Sequence, residues 1–351
     1  MVRTKKIRYP LLVVLFLSLV GGFASLQASA DETETMFERV GFTVRAKLPD
    51  NQIDKTRSFF NLKVEPGLKQ TLEVEVINTS QEDREVQVEL NSAMTNANGV
   101  VDYSIQNVEY DQSLEIPITE MASLREDTVI VKAGQTASVF IELDVPEQSF
   151  PGIVLGGLTF SEANSSDSKD STTEGVSLGS QYAYTIGLVL TEGEELEVDN
   201  LNLLSVEPGV VEGRKVIQAT IQNDQAKIIR GITVEVELFK AGSQDVLREH
   251  TDSNLEMAPN SNFPFAIPWG RQPLEQGDYL LKMKAYTDTD EWIWEEKFEV
   301  TSELVRQINQ EAVDTITIPN WFKYTTIVGI GLSLTSLLIF EIRWKKLKEQ
   351  V

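Results

Sequence analysis

The stretch FPGIVLGGLTF (150–160) is where glycine spacing could carry out phosphate chemistry. A phosphate loop requires Gly-x-x-x-x-Gly-Lys-Ser/Thr between a strand and a helix, and a dinucleotide site requires Gly-x-Gly-x-x-Gly. Here Leu158 follows Gly156 and Gly157, no lysine comes next, and both flanks have the composition of strands. The sequence therefore argues against a nucleotide site. It predicts that Gly156 and Gly157 mark a bulge or allow close packing between strands; the alternative is a sheet edge where a partner strand is added and these glycines permit close backbone approach.

Catalytic residues are scarce in this chain. It contains no cysteine and a single histidine, so a thiol nucleophile is absent and any Ser-His-Asp or zinc site would have to use His250. His250 lies in the polar stretch REHTDSN (248–254), which predicts a solvated loop between strands. We therefore expect a protein that is not an enzyme and that has no catalytic residues, no cofactor and no metal centre.

Two acidic clusters could supply oxygen ligands to calcium. They are DNQID (50–54) and DTDE (288–291), and neither matches the Asp-x-Asp/Asn-x-Asp/Asn-Gly pattern of a calcium loop. The second cluster stands where a hairpin turn is needed, between Tyr286 and Trp292. We favour the turn, and a weak cation site remains an alternative.

The charge of the chain excludes some partners. It has 54 acidic and 31 basic residues, which gives a formal net charge of -23. Nucleic acids are bound by neutralising phosphates with Lys and Arg, so nucleic acid is not an expected partner. An anionic lipid surface lying flat against the protein is disfavoured for the same reason.

The two ends of the chain predict its placement in the cell. A basic start, an apolar run and Ala28-Ser29-Ala30 indicate a signal peptide over 1–30. The apolar run 322–342 is long enough as a helix to span the ~30 Å core of a bilayer. A basic tail follows at 343–351, so the C-terminus is expected in the cytoplasm. This predicts a single-pass cell-membrane protein with extracellular domains on the cell-wall side.

The segment between these ends alternates apolar and polar residues over short runs, which is typical of strands with one buried face. The clearest runs are TLEVEVIN (71–78), EVQVEL (85–90), ASVFIELDV (137–145), ITVEVELF (232–239) and DYLLKMKAY (278–286). No amphipathic helical run precedes residue 303, so the pattern predicts antiparallel sandwiches. The predicted fold is all-β, with two immunoglobulin-like sandwich domains followed by one C-terminal transmembrane helix.

The predicted domains span 37–195 and 196–301, with a juxtamembrane linker over 302–321. The Ser-rich stretch 161–180 is interpreted as a long hairpin loop, because QYAYTIGLVL (181–190) is a suitable pairing partner for GIVLGGLTF (152–160). VEPG occurs twice, at 64–67 and 206–209, each time before a strand that ends in asparagine. This weak repeat favours two copies of one sandwich topology.

Seven segments together resemble the WxL-interacting protein family of Gram-positive bacteria. They are FTVRAKLPDNQ (42–52), NLKVEPGLKQTLEVEVIN (61–78), VPEQSFPGIVLGGLTF (145–160), YAYTIGLVL (182–190), NDQAKII (223–229), MAPNSNFPFAIPW (257–269) and INQEAV (308–313). The resemblance implies a first domain that binds peptidoglycan, a second that binds host components, and complexes with WxL-domain surface proteins. It assigns no binding residues to numbered positions.

The expected function is that of a membrane-anchored cell-surface protein that binds WxL-domain proteins, peptidoglycan and host matrix proteins. The alternative is a structural or chaperone-like subunit of a surface complex that touches neither wall nor host. Binding should use exposed aromatic and strand-edge surfaces rather than a cleft. The candidate contact residues are Phe59, Phe60, Gly156, Gly157, Trp292 and Trp294.

Overall fold

A computed structural model describes residues 41–106, 109–163, 182–193, 196, 198–313 and 335. The predicted signal peptide lies outside these residues, and so does the predicted membrane helix except for Thr335. Within the described residues, no helix has the length and apolar character needed to cross a membrane.

Strands make up most of the regular secondary structure of the described chain, which confirms the all-β prediction. In chain order the strands are β1 Phe42–Lys47, β2 Phe60–Lys63, β3 Lys69–Asn78, β4 Arg84–Ser92, β5 Met94–Thr95, β6 Val101–Asp102, β7 Ala122–Leu124, β8 Thr128–Val131, β9 Thr136–Asp144, β10 Ile153–Glu162, β11 Ala183–Thr191, β12 Leu201–Val211, β13 Arg214–Asn223, β14 Ile229–Lys240, β15 Val246–Met257, β16 Ser261–Pro268, β17 Gly277–Tyr286 and β18 Glu291–Val300. Two helices accompany them, α1 Ile118–Met121 and α2 Ser302–Glu311.

Strands β1 to β4 and β7 to β11 form the N-terminal unit, which has two sheets. One sheet has the order β1-β3-β9-β7 and the other β2-β11-β10-β4-β8. A single apolar core contains residues from both sheets. Strand β3 shows why: Leu72, Val74 and Val76 are buried in that core, while Glu73 and Glu75 between them face outward. The predicted pairing of the strands on either side of the Ser-rich stretch is confirmed, because β10 and β11 are antiparallel neighbours.

Strands β12 to β18 form the C-terminal unit, with sheet orders β12-β13-β16 and β15-β14-β17-β18 around a second core. Helix α2 packs onto this core through Ile308, which is buried. Asn309 fixes the helix by donating to the carbonyl of Leu274 and accepting from its N–H, at 3.1 and 3.0 Å. The first half of the predicted linker is therefore part of the C-terminal unit.

The two asparagines of the internal repeat make equivalent hydrogen bonds in the structure, whereas the two VEPG segments have different conformations. Asn78 donates from Nδ2 to the carbonyls of Glu82 and Val131, each at 2.8 Å. Asn223 donates in the same way to Lys227 and Ala258, also at 2.8 Å. Both side chains are buried, so each amide ties the end of its strand to the carbonyls of two neighbouring segments in addition to the backbone pairing. The first VEPG forms a turn before β3, whereas the second lies inside β12.

A third apolar cluster joins the two units. It contains Ala93 and Leu155 of the N-terminal unit and Ala258 of the C-terminal unit. The small β5–β6 hairpin adds a buried polar contact, because Thr95 Oγ1 lies 2.6 Å from Ser261 Oγ and accepts from the N–H of Ala258 at 3.0 Å. The units therefore share a packed interface.

A buried carboxylate completes this interface. Asp111 accepts hydrogen bonds from Gln222 and Asn262 of the C-terminal unit at 2.8 and 2.5 Å, and from the N–H and hydroxyl of Ser113. Burial by itself would raise the pKa of Asp111, but the bonds from Ser113, Asn262 and Gln222 outweigh burial and lower it. The ionised form of Asp111 therefore makes these hydrogen bonds between the units.

Candidate functional site

A groove of about 860 Å³ runs along the boundary between the two units. Its floor is the outer face of the sheet edge formed by β2 and β11, where Asn61 and Val189 lie. The segment before β2 forms one wall through Ile53, which is 52% exposed. Ile228 of the C-terminal unit lies on the other side. The groove is thus built from both units.

The wall before β2 is held in place by its own side chains. Gln52, which is buried, donates from Nε2 to the carbonyls of Asp54 and Phe59 and accepts from the N–H of Asn61, each at 3.0 Å. The N–H of Ile53 donates to the carbonyl of Asn61 at 2.8 Å. These bonds close the loop 52–61 and occupy the outer edge of β2.

Three basic side chains line the groove, and no acidic residue is among the lining residues that the structure describes. Arg57 Nε lies 3.1 Å from Asp54 Oδ2, Arg230 Nε lies 2.7 Å from Glu256 Oε1, and Lys63 Nζ donates to the carbonyl of Gly193. Both arginine ion pairs use the Nε atom, and each guanidinium has further N–H donors beside it. With Asp54 and Glu256 counted, these groups carry one positive charge in excess, on a chain with a net charge of -23.

The carboxylate of Asp54 orients Arg57. Its pKa is lowered by hydrogen bonds from the Thr56 hydroxyl at 2.6 Å and the Thr56 N–H at 2.9 Å, and then by Arg57. Asp54 therefore stays ionised at neutral pH and keeps the guanidinium at the groove. The acidic cluster 50–54, a calcium candidate in the sequence, thus forms a turn whose Asp54 holds the basic side chain of Arg57 at the groove.

An aromatic ring lies beside these cations. Phe59 packs over Gly187 of β11, and a Cβ placed on Gly187 would lie 3.8 Å from Phe59 Cδ2. Phe59 is half-buried and lines the groove, so part of its ring is accessible to a ligand. A ring that shares a groove with basic groups can hold the apolar face of a sugar or peptide while the cations bind its carboxylates.

The other candidate residues lie apart from the groove. Phe60 is fully buried in the N-terminal core, which leaves no ring surface for a partner. Trp292 and Trp294 are half-buried and pack against the C-terminal core from β18. Of the six residues, only Phe59 lines the groove.

Gly156 and Gly157 lie in a central strand, which fits the packing alternative and not the sheet-edge alternative. β10 is paired with β4 on one side and with β11 on the other, and neither register contains a bulge. A Cβ on Gly156 would collide with Ile118 of α1, and one on Gly157 would lie 2.6 Å from the Tyr103 ring. Both glycines make room for side chains of the same chain.

His250 lies within β15, not in a loop as predicted. Its ring is 5.6 Å from the ring of Phe265, and Nε2 is 3.0 Å from Asp252 Oδ2. The segment contains few apolar residues and its pairing with β14 shifts register three times, so it lacks the alternation from which strands are predicted. Among the described residues, no three His, Asp or Glu side chains are grouped to hold a metal ion.

The basic residues of the groove are not among the candidates predicted from the sequence. Arg57, Phe59 and Lys63 stand within one short stretch, RSFFNLK (57–63), and that combination of cations and an aromatic ring could have drawn attention. Arg230 comes from the other unit, and only the fold brings it to the groove.

Two family models match the chain over the two units. The peptidoglycan-binding domain of WxL-interacting proteins matches residues 42–162, and their host-binding domain matches 173–310. The chain belongs to the WxL-interacting protein family. The matched WxL-interacting protein domains are binding domains and not enzymes, so the chain has a cell-surface binding role. The second match begins before β11, although β11 pairs with β10 of the N-terminal unit.

Two solved structures show a distant likeness to the chain. The Pseudomonas aeruginosa CupB2 chaperone is 15% identical, with 65% of this chain and 91% of that chain covered and a TM-score of 0.26. The Acinetobacter baumannii CsuC–CsuE chaperone–tip adhesion subunit complex gives 15% identity, coverage of 64% and 90%, and a TM-score of 0.31. Scores this low carry no inference about function. No curated protein matches the chain.

Proposed function

We propose that this chain is a membrane-anchored surface protein whose groove binds a carboxylate-bearing glycopeptide of peptidoglycan. The observation that supports the proposal is the groove of Arg57, Lys63 and Arg230 around Phe59 on an otherwise acidic chain. Peptide stems of peptidoglycan present free carboxylates beside sugar rings, and this groove offers partners for both. The 322–342 helix would anchor the protein, with the domains facing the wall.

The proposal extends to the arrangement of the protein at the cell surface. The two sheet pairs act as immunoglobulin-like sandwich domains, the first directed to peptidoglycan and the second to host matrix proteins. WxL-domain proteins are the expected companions in the complex. The family membership and the two matched domains support this reading.

Co-sedimentation of the full-length protein in detergent with purified peptidoglycan tests the groove. Arg57→Ala should weaken binding by about tenfold, because a hydrogen bond to a charged group contributes roughly 1.5–3 kcal/mol. Phe59→Ala should also weaken it. Added salt should reduce binding, since exposed charges are screened over about 8 Å at physiological ionic strength.

Arg45→Ala is the matched control. Arg45 is also an exposed arginine of the N-terminal unit that is paired with a carboxylate, Glu75, but it lies on β1 outside the groove. This variant should bind like the wild type. If both Arg57→Ala and Phe59→Ala bound peptidoglycan like the wild type, the groove would not be the binding site. A protein that binds WxL-domain proteins but no peptidoglycan would instead be a structural or chaperone-like subunit.

A further inference from the structure

Strand β18 ends the larger sheet of the C-terminal unit and leaves one edge open. The N–H of Thr287 donates to the carbonyl of Asp290, which identifies this pair as a hydrogen-bonded pair of the β17–β18 ladder. Such pairs alternate along antiparallel strands, so every second residue of β18 directs its N–H and C=O away from β17. These residues are Glu291, Ile293, Glu295, Lys297 and Glu299. No backbone partner for them occurs among the described residues.

Six of the other edge strands that the structure describes carry features that hinder pairing with another chain, and the remaining long-sheet edge, β1, has only six residues. Proteins protect sheet edges with proline, bulges, short strands or covering loops. In this chain β12 contains Pro208 and a bulge, β16 contains Pro264, β15 is bulged, β8 and β7 are short, and the edge of β2 is covered by loop 52–61. Strand β18 has ten residues, no proline and no register shift.

Both faces of β18 retain apolar surface next to the open edge. Ile293 is 67% exposed on the outer face. On the inner face, Trp292, Trp294 and Phe298 are half-buried against the core, so part of each ring remains uncovered. An added strand would pair the free backbone groups and cover this remaining surface.

The charges of β18 determine which side chains an added strand should carry. Four glutamates and one lysine lie along it. Lys284 and Lys282 of β17 already face Glu291 and Glu295, at 2.6 and 3.4 Å. A second copy of β18 would oppose glutamate to glutamate, which is unfavourable for directly opposite cross-strand pairs. A basic partner strand would be attracted instead.

We propose that the free edge of β18 binds an extended segment of a partner protein in which apolar residues alternate with lysine or arginine. This surface is separate from the groove and the inference does not rest on the proposed glycopeptide binding. The ladder hydrogen bonds give affinity, the Ile293 face accepts the apolar residues, and the glutamates bind the basic ones.

Peptide binding to the full-length protein in detergent tests this surface. The probe is an eight-residue peptide that alternates valine and lysine, compared with its valine–glutamate counterpart. We expect the basic peptide to bind at least tenfold more tightly. Ile293→Pro should abolish binding, because proline removes an outward N–H that β17 does not use and blocks the ladder.

Ile130→Pro is the matched control. Ile130 is 63% exposed on edge strand β8, and its pairing with Glu85 also directs its N–H outward. This variant should keep wild-type peptide binding, and Ile293→Pro should keep wild-type peptidoglycan binding. Equal binding of the peptide to Ile293→Pro and wild type, or no preference for the basic peptide, would overturn the proposal.

Hydrogen exchange on the wild type covers the case in which Ile293→Pro fails to fold. On adding the basic peptide, the amides of Ile293, Glu295 and Lys297 should gain protection, while that of Ile130 should not. Unchanged exchange at all three amides under saturating peptide would also refute docking at this edge.

Discussion

Gly157 and Gly187 face each other across the β10–β11 ladder, yet their surroundings differ. Tyr103 covers Gly157, and its carbonyl is fixed by a hydrogen bond from Asn91 Nδ2 at 3.0 Å. The atoms nearest to a Cβ placed on Gly187 belong to Phe59, at van der Waals distances of 3.8 to 3.9 Å. One glycine is therefore required by packing, whereas the other leaves space for a methyl group.

This difference predicts opposite effects of adding a methyl group. Gly157→Ala should lower the free energy of unfolding by about 1–3 kcal/mol, because the side chain has to displace Tyr103. Gly187→Ala should leave it unchanged or raise it by about 0.5 kcal/mol, since alanine is favoured over glycine inside a strand. Denaturant unfolding of both variants measures the effect, and equal stabilities would contradict the packing account.

Single residues were only partly predictable from the sequence. Alternation correctly indicated that Leu72, Val74 and Val76 are buried, because a strand face is a local property. Alternation could not show that Phe59 lines the groove whereas Phe60 is buried in the core. It also could not show that Tyr103 covers Gly157. Those outcomes depend on which loop packs onto which sheet.

At the scale of elements, helix α2 is the clearest departure from the sequence interpretation. The sequence predicts a linker over these residues, yet Thr301 caps the helix by accepting from the N–H of Leu304 at 3.4 Å, and Ile308 anchors it. A ten-residue helix is marginal alone in water, so its stability comes from docking on the core. The five alternating runs, in contrast, all became strands because their periodicity already specified a buried face.

Removal of the anchor should therefore destabilise the C-terminal unit. Ile308→Ala is expected to cost roughly 2–5 kcal/mol of unfolding free energy, because it leaves a cavity under the helix. Gln310→Ala on the exposed side of the same helix should stay within about 0.5 kcal/mol of wild type. Thermal unfolding compares them. Equal melting temperatures would mean that α2 does not contribute to the fold.

At the scale of the whole molecule, the contact between the units was not predictable. The residues that form it, Thr95, Asp111 and Ser261, are polar and far apart in sequence, and no local pattern links them. Composition and alternation correctly indicated an all-β chain, but neither reports how two sheet pairs face each other. The groove is formed where the two units meet, so the sequence alone could not show that its basic residues lie close together.

Asp111 makes the contact between the units sensitive to acid. Its pKa in the folded protein is below the ordinary value of 3.8, so its stabilising effect is fully present above pH 3.8 and is lost as pH falls through the folded pKa. Asp111→Asn should lower stability by about 1–3 kcal/mol at pH 7, because an amide cannot accept from all these donors. The gap to wild type should narrow below pH 3.8. A gap that is constant from pH 7 to pH 3, measured by thermal unfolding, would contradict this role.

The groove has one wall on each unit, and the buried interface fixes the distance between those walls before any ligand arrives. The entropy of ordering the site is therefore lost during folding and not during binding. Thermodynamic linkage then works in both directions: a ligand that touches both walls strengthens the hold of one unit on the other. A mechanical force that separated the units would equally release the ligand. The affinity of the groove for its ligand would therefore fall when the protein is under tension.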